Sequence, residues 1–446
     1  MVRNHAGIEE LGIPCVSIVQ DQFVLDAKAT GEAYRLQNPA LAVSRYVFAG
    51  LNESETREEV DRIIEDIITG LTKPLPEPRE VEGQRLTTLG PKTDYISFRG
   101  KDQFTCFRKM NDKFSDWGWS DGFPIMPPTE GEVNEILKGT QRSPDDIVIE
   151  RFVPGNASAT VRNIAINAVM AGCKPEYLPV VLTAIETIHD PEMPTLAMTM
   201  STGPHAPLFI VNGPISKRLN INSRCCALGT AGPERLSFSN VVIGRAVRLN
   251  LMNVGNCYPG VMDMDTIGSP TKFSMLLAEN EEGNPWEPYH VEKGFKPEDS
   301  TISCGYGHSL AEVCDMESDT AAGLMNSFAI VLRGVGERAY HRAYVALLLM
   351  CPDHARILAR DGWTKEDIRQ YLYLHCRLSA EEHRRSCCLA YSPEGPRKWI
   401  ENADSHAMIP RYDSPDRYQI IVVGGKGGKS AVYCVDTEPK PYLIKG

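Results

Sequence analysis

The stretch GIPCVSIVQDQFVLDAKATGEAYRLQNPALAVSRYVF, residues 12–48, decides the fold class, together with the helix-patterned Thr56–Leu71 that follows it. Gly12–Val19 is a short apolar, β-branched run, Gln22–Tyr34 has helical spacing, and Ala40–Phe48 is a second apolar run. Thr56–Leu71 places Ile63, Ile64, Ile67, Ile68 and Leu71 on one side of an amphipathic helix. The order strand, helix, strand, helix predicts parallel strands with crossover helices, an arrangement of sheets with several strands covered on both faces. Two such strands cannot bury a core alone. Residues 1–72 therefore read as a partial α/β domain completed by a partner chain; the alternative is that they add an edge to a downstream sheet.

Outward from there, residues 73–105 begin KPLPEPREVEGQ and read as an extended, proline-rich linker. Residues 106–300 form a central α+β block dense in Gly, Pro and Asn, with helices expected at Ala159–Met170, Tyr177–Ile188 and Val241–Val254. Leu208–Val211 reads as a buried strand before the turn Asn212-Gly213-Pro214. Residues 301–446 read as a mainly helical segment packed on the central block. Thr320–Met350 is expected to be largely helical, including the apolar run Tyr344–Met350, and Pro352–Leu378 holds a further helix. The segment is expected to end in a β-hairpin, Tyr418–Val423 and Ser430–Val435 around Gly424–Gly428. The fold class is α/β: an incomplete N-terminal parallel segment plus a larger α+β domain.

Composition narrows the function. A chain of 446 residues exceeds one ordinary core and predicts two or three domains. A net charge of -11 argues against nucleic acid as the partner, because phosphate backbones are bound by clustered Lys and Arg. No run approaches the ~18 apolar residues of a membrane span, and MVRNHAGIEELG is neither a secretory signal nor a transit peptide. Thirteen cysteines without a signal peptide point to thiols in the reducing cytoplasm.

Several motifs invite chemistry. Gly424–Ser430 (GGKGGKS) resembles a phosphate loop, but Val423 stands where the first glycine belongs and a strand-like run follows, so a glycine-rich turn is the better reading. Cys304, His308 and Cys314, and likewise His375, Cys376, His383, Cys387 and Cys388, lack paired CxxC spacing, and no metal site is assigned to them. Cys376 and His383 could share a helical face. Cys173 stands where Gly172 and Pro175 end a helix, beside Lys174, a position that can lower a thiol pKa; a small buried hydrophobe is the competing reading. Asp121, Arg162, Asn167, Asn212, Arg245, Asn253, Lys272, Glu279 and Asn280 lie in apolar or turn-forming context. Such residues either form a buried network or line a polar pocket for a small substrate, possible carboxylates included.

The strings SDGFPIMPPT (120–129), ATVRNIAINAVMAGCKPEYLPVV (159–181), VNGP (211–214), IGRAVRLNLMNVG (243–255), GSPTKFSMLLAENEEGNPWEPYHVEKGF (268–295) and GWTKEDIRQYL (362–372) resemble the UGSC-like family. That family is named for a selenocysteine or cysteine followed by Gly-Ser-Cys, which lies upstream of the part matching Gly12–Leu71. No Cys-Gly-Ser-Cys occurs in this chain. The resemblance implies that a separate small subunit carries the motif and completes the N-terminal domain.

Selenocysteine and cysteine interchange where a thiolate or selenolate is nucleophile or redox centre, so the resemblance implies thiol-dependent chemistry. The expectation is the large subunit of a heteromeric oxidoreductase. The partner's thiolate acts on a small substrate, Cys173 resolves, Glu279 is the general acid/base and Arg245 or Lys272 the electrostatic clamp. A thiol reductant is then required. The rivals are a lyase or transferase at a C–S or C–N bond, a metalloenzyme subunit, and a non-catalytic scaffold for a catalytic small subunit.

Overall fold

In the computed structural model, which describes residues 2–36, 38–46, 48, 51–73, 90–91, 93–230, 238–335, 345–385 and 400–445, the expected order of the N-terminal segment is present. β1 (Ser17–Gln20) pairs in parallel with β2 (Leu41–Ser44), Ser17 opposite Leu41 and Gln20 opposite Ser44. The crossover helix is Val24–Ala33. The Glu53–Thr72 helix begins at a capping box in which Asn52 accepts from the Glu55 N–H and Glu55 reaches back to the Asn52 N–H. Both strands are shorter than their apolar runs. Beyond Ser44 the chain turns around the buried Glu59, which accepts from the Ser44 hydroxyl, the Arg45 N–H and the Arg62 guanidinium. The apolar core of this segment is small: Val2, Val19, Val24 and Ala27, with Leu41 and Val43 packed against them. On the Glu53–Thr72 helix only Ile63 of the apolar stripe is buried, while Ile64, Ile68 and Leu71 are 38%, 53% and 42% exposed.

β3 (Ile147–Phe152) and β4 (Ala157–Thr160) form an antiparallel pair. The main sheet is built from β5 (Ala206–Asn212), β6 (Leu276–Ala278), β7 (Thr301–Cys314) and β8 (Val345–Met350). A small pair, β9 (Arg377–Ser379) with β10 (Met408–Pro410), stands apart. β11 (Tyr418–Val422), β12 (Lys429–Val435) and β13 (Lys440–Leu443) complete a seven-stranded sheet of order β11-β8-β12-β7-β5-β6, with β13 on β7.

The C-terminal half departs from the sequence expectation in three ways. Val345–Met350 is a strand, not helix, buried along its whole length; a short unbroken apolar run fits either element, and here it is buried on both faces of a sheet. β11 and β12 do not pair with each other as a hairpin, because β8 lies between them, parallel to β11 and antiparallel to β12. Residues 301–446 are not mainly helical: they supply five of the seven strands, including the 14-residue β7, so one sheet runs across residue 300. In addition, the Gln103–Asp116 helix, capped by Asp102, begins inside the expected linker, much of which lies outside the described residues.

The expected helices are present as Val161–Ala171, Leu178–Ile188 and Ser239–Asn253, and they pack on Phe209, Val211, Ile302, Cys304 and Tyr306. Farther along the same face, Ala321–Gly334, Pro352–Arg360 and Lys365–His375 cover Leu348, Met350, Ile420 and Val432. Leu208, Ile210, Leu347 and Val435 face the other way, onto Met275 and Tyr289. The β12–β7 register jumps from Cys434 opposite Ser309 to Val435 opposite Gly307, which leaves His308 as the extra residue of a bulge. No helix among the described residues is long and apolar enough to cross a membrane.

Candidate functional site

The Ser239–Asn253 helix carries Arg245 and Arg248 on successive turns, and Arg248 lines a cavity of about 840 Å³. One wall is Trp117–Asp121, the other the Asn256–Phe273 segment, including Tyr258, Asp263, Asp265 and Lys272. Lys272 Nζ stands 2.7 Å from Asp263 and 2.8 Å from Asp265, and Arg248 reaches Asp263 at 3.4 Å. All four are nearly buried, so the two cations and two anions balance at low dielectric. Burial pushes the Asp265 carboxyl up, but Lys272 and the N–H groups of Gly268 and Ile267 outweigh it and hold the group below the ordinary range.

The N-terminal segment meets this cluster. Asp26, on the crossover helix, is buried, and neither carboxylate oxygen has a hydrogen-bond partner among the described residues. Burial, and then repulsion from Asp263, push its pKa to about 8. Asp26 also lines a second cavity of about 880 Å³, between Ile18, Gln20 and Tyr46 of the N-terminal segment and Pro191–Met200. The two cavities therefore approach each other at the Asp26–Asp263 carboxyl pair.

The residues singled out in the sequence fall into separate places. Arg245 is spent on Asp121, donating Nε to Oδ2 and a terminal nitrogen to Oδ1, each at 2.8 Å, and on the carbonyls of Phe123 and Pro124. It fixes the Ser120–Pro124 turn and is not a free clamp. Asn167 and Asn253 belong to a buried chain: Asn253 donates to Asn167 at 2.8 Å and to the Trp119 carbonyl at 3.2 Å, Asn167 donates to Asn250, and Tyr258 donates to Asn253. This network ties two helices to the cavity wall. Arg162 is half-buried on the first turn of its helix, its N–H on the Pro144 carbonyl.

Glu279, Asn212 and Asn280 are elsewhere. Glu279 accepts from Asn212 at 2.5 Å, Asn284 at 2.8 Å and the Tyr289 N–H at 2.7 Å, and burial raises its pKa to about 7. Asn280 bridges Gly283 and the Gly424 carbonyl. Glu279 and Asn280 border a cavity of about 230 Å³ at the Asn212 end of β5. At ~3.3 Å per residue the two ends of β5 lie about 20 Å apart, so Glu279 is not an acid/base for a ligand held by Lys272. Cys173 is corrected too. Its Sγ donates to the Val242 carbonyl at 3.3 Å, and burial pushes the thiol up despite Arg245, so it is not an activated thiolate. Gly172 does end the helix, with a left-handed φ of 85°.

Cys376 and His383 share no helical face, because the helix stops at His375; Cys387 and Cys388 lie outside the described residues. Cys304 and Cys314 are ten residues apart on β7, about 33 Å at strand rise, and cannot share an ion. His308, between them, lies instead beside His205 and Asp436, with one ligand atom of each within 4.8 Å of the others. His205 also borders a small cavity with Arg248, Asp263 and Lys272. As expected, a strand follows the Gly424–Gly428 loop.

Sequence reasoning missed Asp26, Asp263 and Asp265 and assigned no role to Arg248. The pair Asp263-Met-Asp265 between glycine-rich turns was a usable signal for the two carboxylates. Asp26 offered none, since an acidic residue in the first turn of a helix is usually explained by the helix dipole.

A model of the UGSC family matches residues 1–73. No curated protein and no solved structure matches the chain.

Proposed function

Taking residues 1–73 as a UGSC-family segment, we propose that this chain is the substrate-holding large subunit of a cytoplasmic, thiol-dependent oxidoreductase. A small subunit carrying Cys-Gly-Ser-Cys completes the β1–β2 sheet. The observation that carries this reading is the approach of two large cavities at Asp26 and Asp263, one between the two-stranded sheet and Pro191–Met200 and one lined by Lys272 and Arg248. A partner seated on the first brings its thiol toward a substrate in the second. The buried Cys257, behind the cavity wall, cannot substitute: burial pushes its thiol up to about 12.

Both cations of the lining are paired with Asp263, so the site suits a small polar molecule offering donors as well as acceptors rather than a bare anion. In the redox step the partner's dithiol gives two electrons and two protons to the substrate and closes to a disulfide, which an external thiol reopens. Asp26, protonated below about pH 8 and close to Asp263, can supply a proton where the two cavities approach. The free thiols of Cys225 and Cys226, adjacent and exposed, fit a reducing compartment.

The test is to co-purify the chain with a Cys-Gly-Ser-Cys polypeptide, screen small polar metabolites by thermal shift, and titrate thiols during turnover. Ligand stabilisation that disappears in Lys272→Ala, and one disulfide formed per product, are expected. Product without thiol consumption would leave a lyase or transferase and overturn the redox reading.

A further inference from the structure

We propose that His205, His308 and Asp436 bind one divalent transition-metal ion of the zinc or iron(II) class. The three come from positions 103 or more residues apart and converge through strand pairing. β5 runs antiparallel to β7 with Ala206 opposite Gly307, so the residue before Ala206 and the residue after Gly307 are neighbours. β12 runs along the other side of β7 with Val435 opposite Gly307, and the Asp436 N–H donates to the Tyr306 carbonyl at 2.7 Å. His308 is the extra residue of the bulge at that level, and a bulge re-aims its side chain. Three adjacent strands thus deliver two imidazoles and a carboxylate to one point.

The spacing is that of ligands around an ion rather than of a direct hydrogen bond. His205 Nε2 and Asp436 Oδ2 stand 3.5 Å apart, and the two imidazole centroids 5.2 Å apart at an interplanar angle of 56°. Two ligand atoms each ~2.1 Å from a tetrahedral ion are separated by about 3.4 Å. Asp436 is buried, and neither of its carboxylate oxygens has a hydrogen-bond partner among the described residues. A buried carboxylate left so is costly, and a cation between it and the imidazoles removes that cost. Two histidines and one carboxylate suit zinc or iron(II), with further positions open to water or a ligand. His205 shares a small cavity with Arg248, Asp263 and Lys272, which sets the ion beside the polar cluster.

This inference does not rest on the proposed substrate or partner. It is tested on the full chain in a Cys225→Ser/Cys226→Ser background, which removes the adjacent exposed thiols as a competing zinc site. Zinc(II) titration by calorimetry is expected to give one ion per chain. His308→Gln and Asp436→Asn, with unchanged circular dichroism, are expected to weaken binding at least about 100-fold, the upper end of what changes around a ligand shell cost. Cobalt(II) added to the unsubstituted site provides a readout independent of the variants: intense d–d bands of a four- or five-coordinate ion are expected. Equal zinc affinity in both variants, absence of stoichiometric binding, or only the weak bands of aqueous cobalt would each overturn the proposal.

Discussion

The N-terminal segment and the seven-stranded sheet use the same kinds of element with opposite outcomes. In the large sheet, β8 is buried along its whole length between β11 and β12, and helices cover the face formed by Leu348 and Met350. In the N-terminal segment, two four-residue parallel strands share a small apolar cluster, polar bonds to Glu59 hold the turn after β2, and three of the five residues of the long helix's apolar stripe are exposed. Parallel strands are stable where both faces are covered. The large sheet meets that condition within the described chain and the N-terminal pair does not, which marks the surface that the proposed partner covers.

The largest expected effect is in the sheet. Leu348→Ala should cost about 2–5 kcal/mol, read as a fall in the denaturant midpoint, because the surrounding helices cannot collapse onto the cavity. A loss below ~1 kcal/mol would mean that β8 is less central than its burial indicates. Lys272→Ala comes next. It leaves Asp263 and Asp265 buried beside Arg248 alone and should destabilise by about 3 kcal/mol, in addition to weakening ligand binding.

Ile68→Asp on the exposed stripe inverts the pattern. The isolated chain should keep its stability within ~0.5 kcal/mol, while capture of the Cys-Gly-Ser-Cys polypeptide drops sharply. If the isolated chain melts instead, the stripe is already covered. A further effect is a pH slope at the junction of the two regions. Asp26 has a folded pKa raised from 3.8 to about 8, so the neutral carboxyl is favoured on folding. Its contribution is fully present below the unfolded value and is lost as pH rises toward 8. Thermal melts of Asp26→Asn should therefore show a flatter stability profile across that window than the unsubstituted chain.

Much of this was legible in the sequence where periodicity and caps agree. The helices at Val161–Ala171, Leu178–Ile188 and Ser239–Asn253 follow apolar spacing, and Gly172 ends the first as its position implies. β7 was not legible, since TISCGYGHSLAEVC mixes small, polar and aromatic residues, and a bulge interrupts its alternation. β8 was misread because an apolar run alone does not distinguish buried strand from buried helix. Of the candidate site, Lys272 and Asp121 do line the large cavity, but the sequence could not show that Asp121 consumes Arg245 or that Glu279 lies at the far end of β5. Those facts, like the meeting of His205, His308 and Asp436, depend on pairing between distant strands.

The most direct test of the central claim is amide hydrogen exchange of this chain with and without the Cys-Gly-Ser-Cys polypeptide. Fast exchange is expected in β1, β2 and the Glu53–Thr72 helix of the isolated chain and strong protection of all three in the complex, with the seven-stranded sheet unchanged. Equal protection of the N-terminal segment with and without the polypeptide would contradict it.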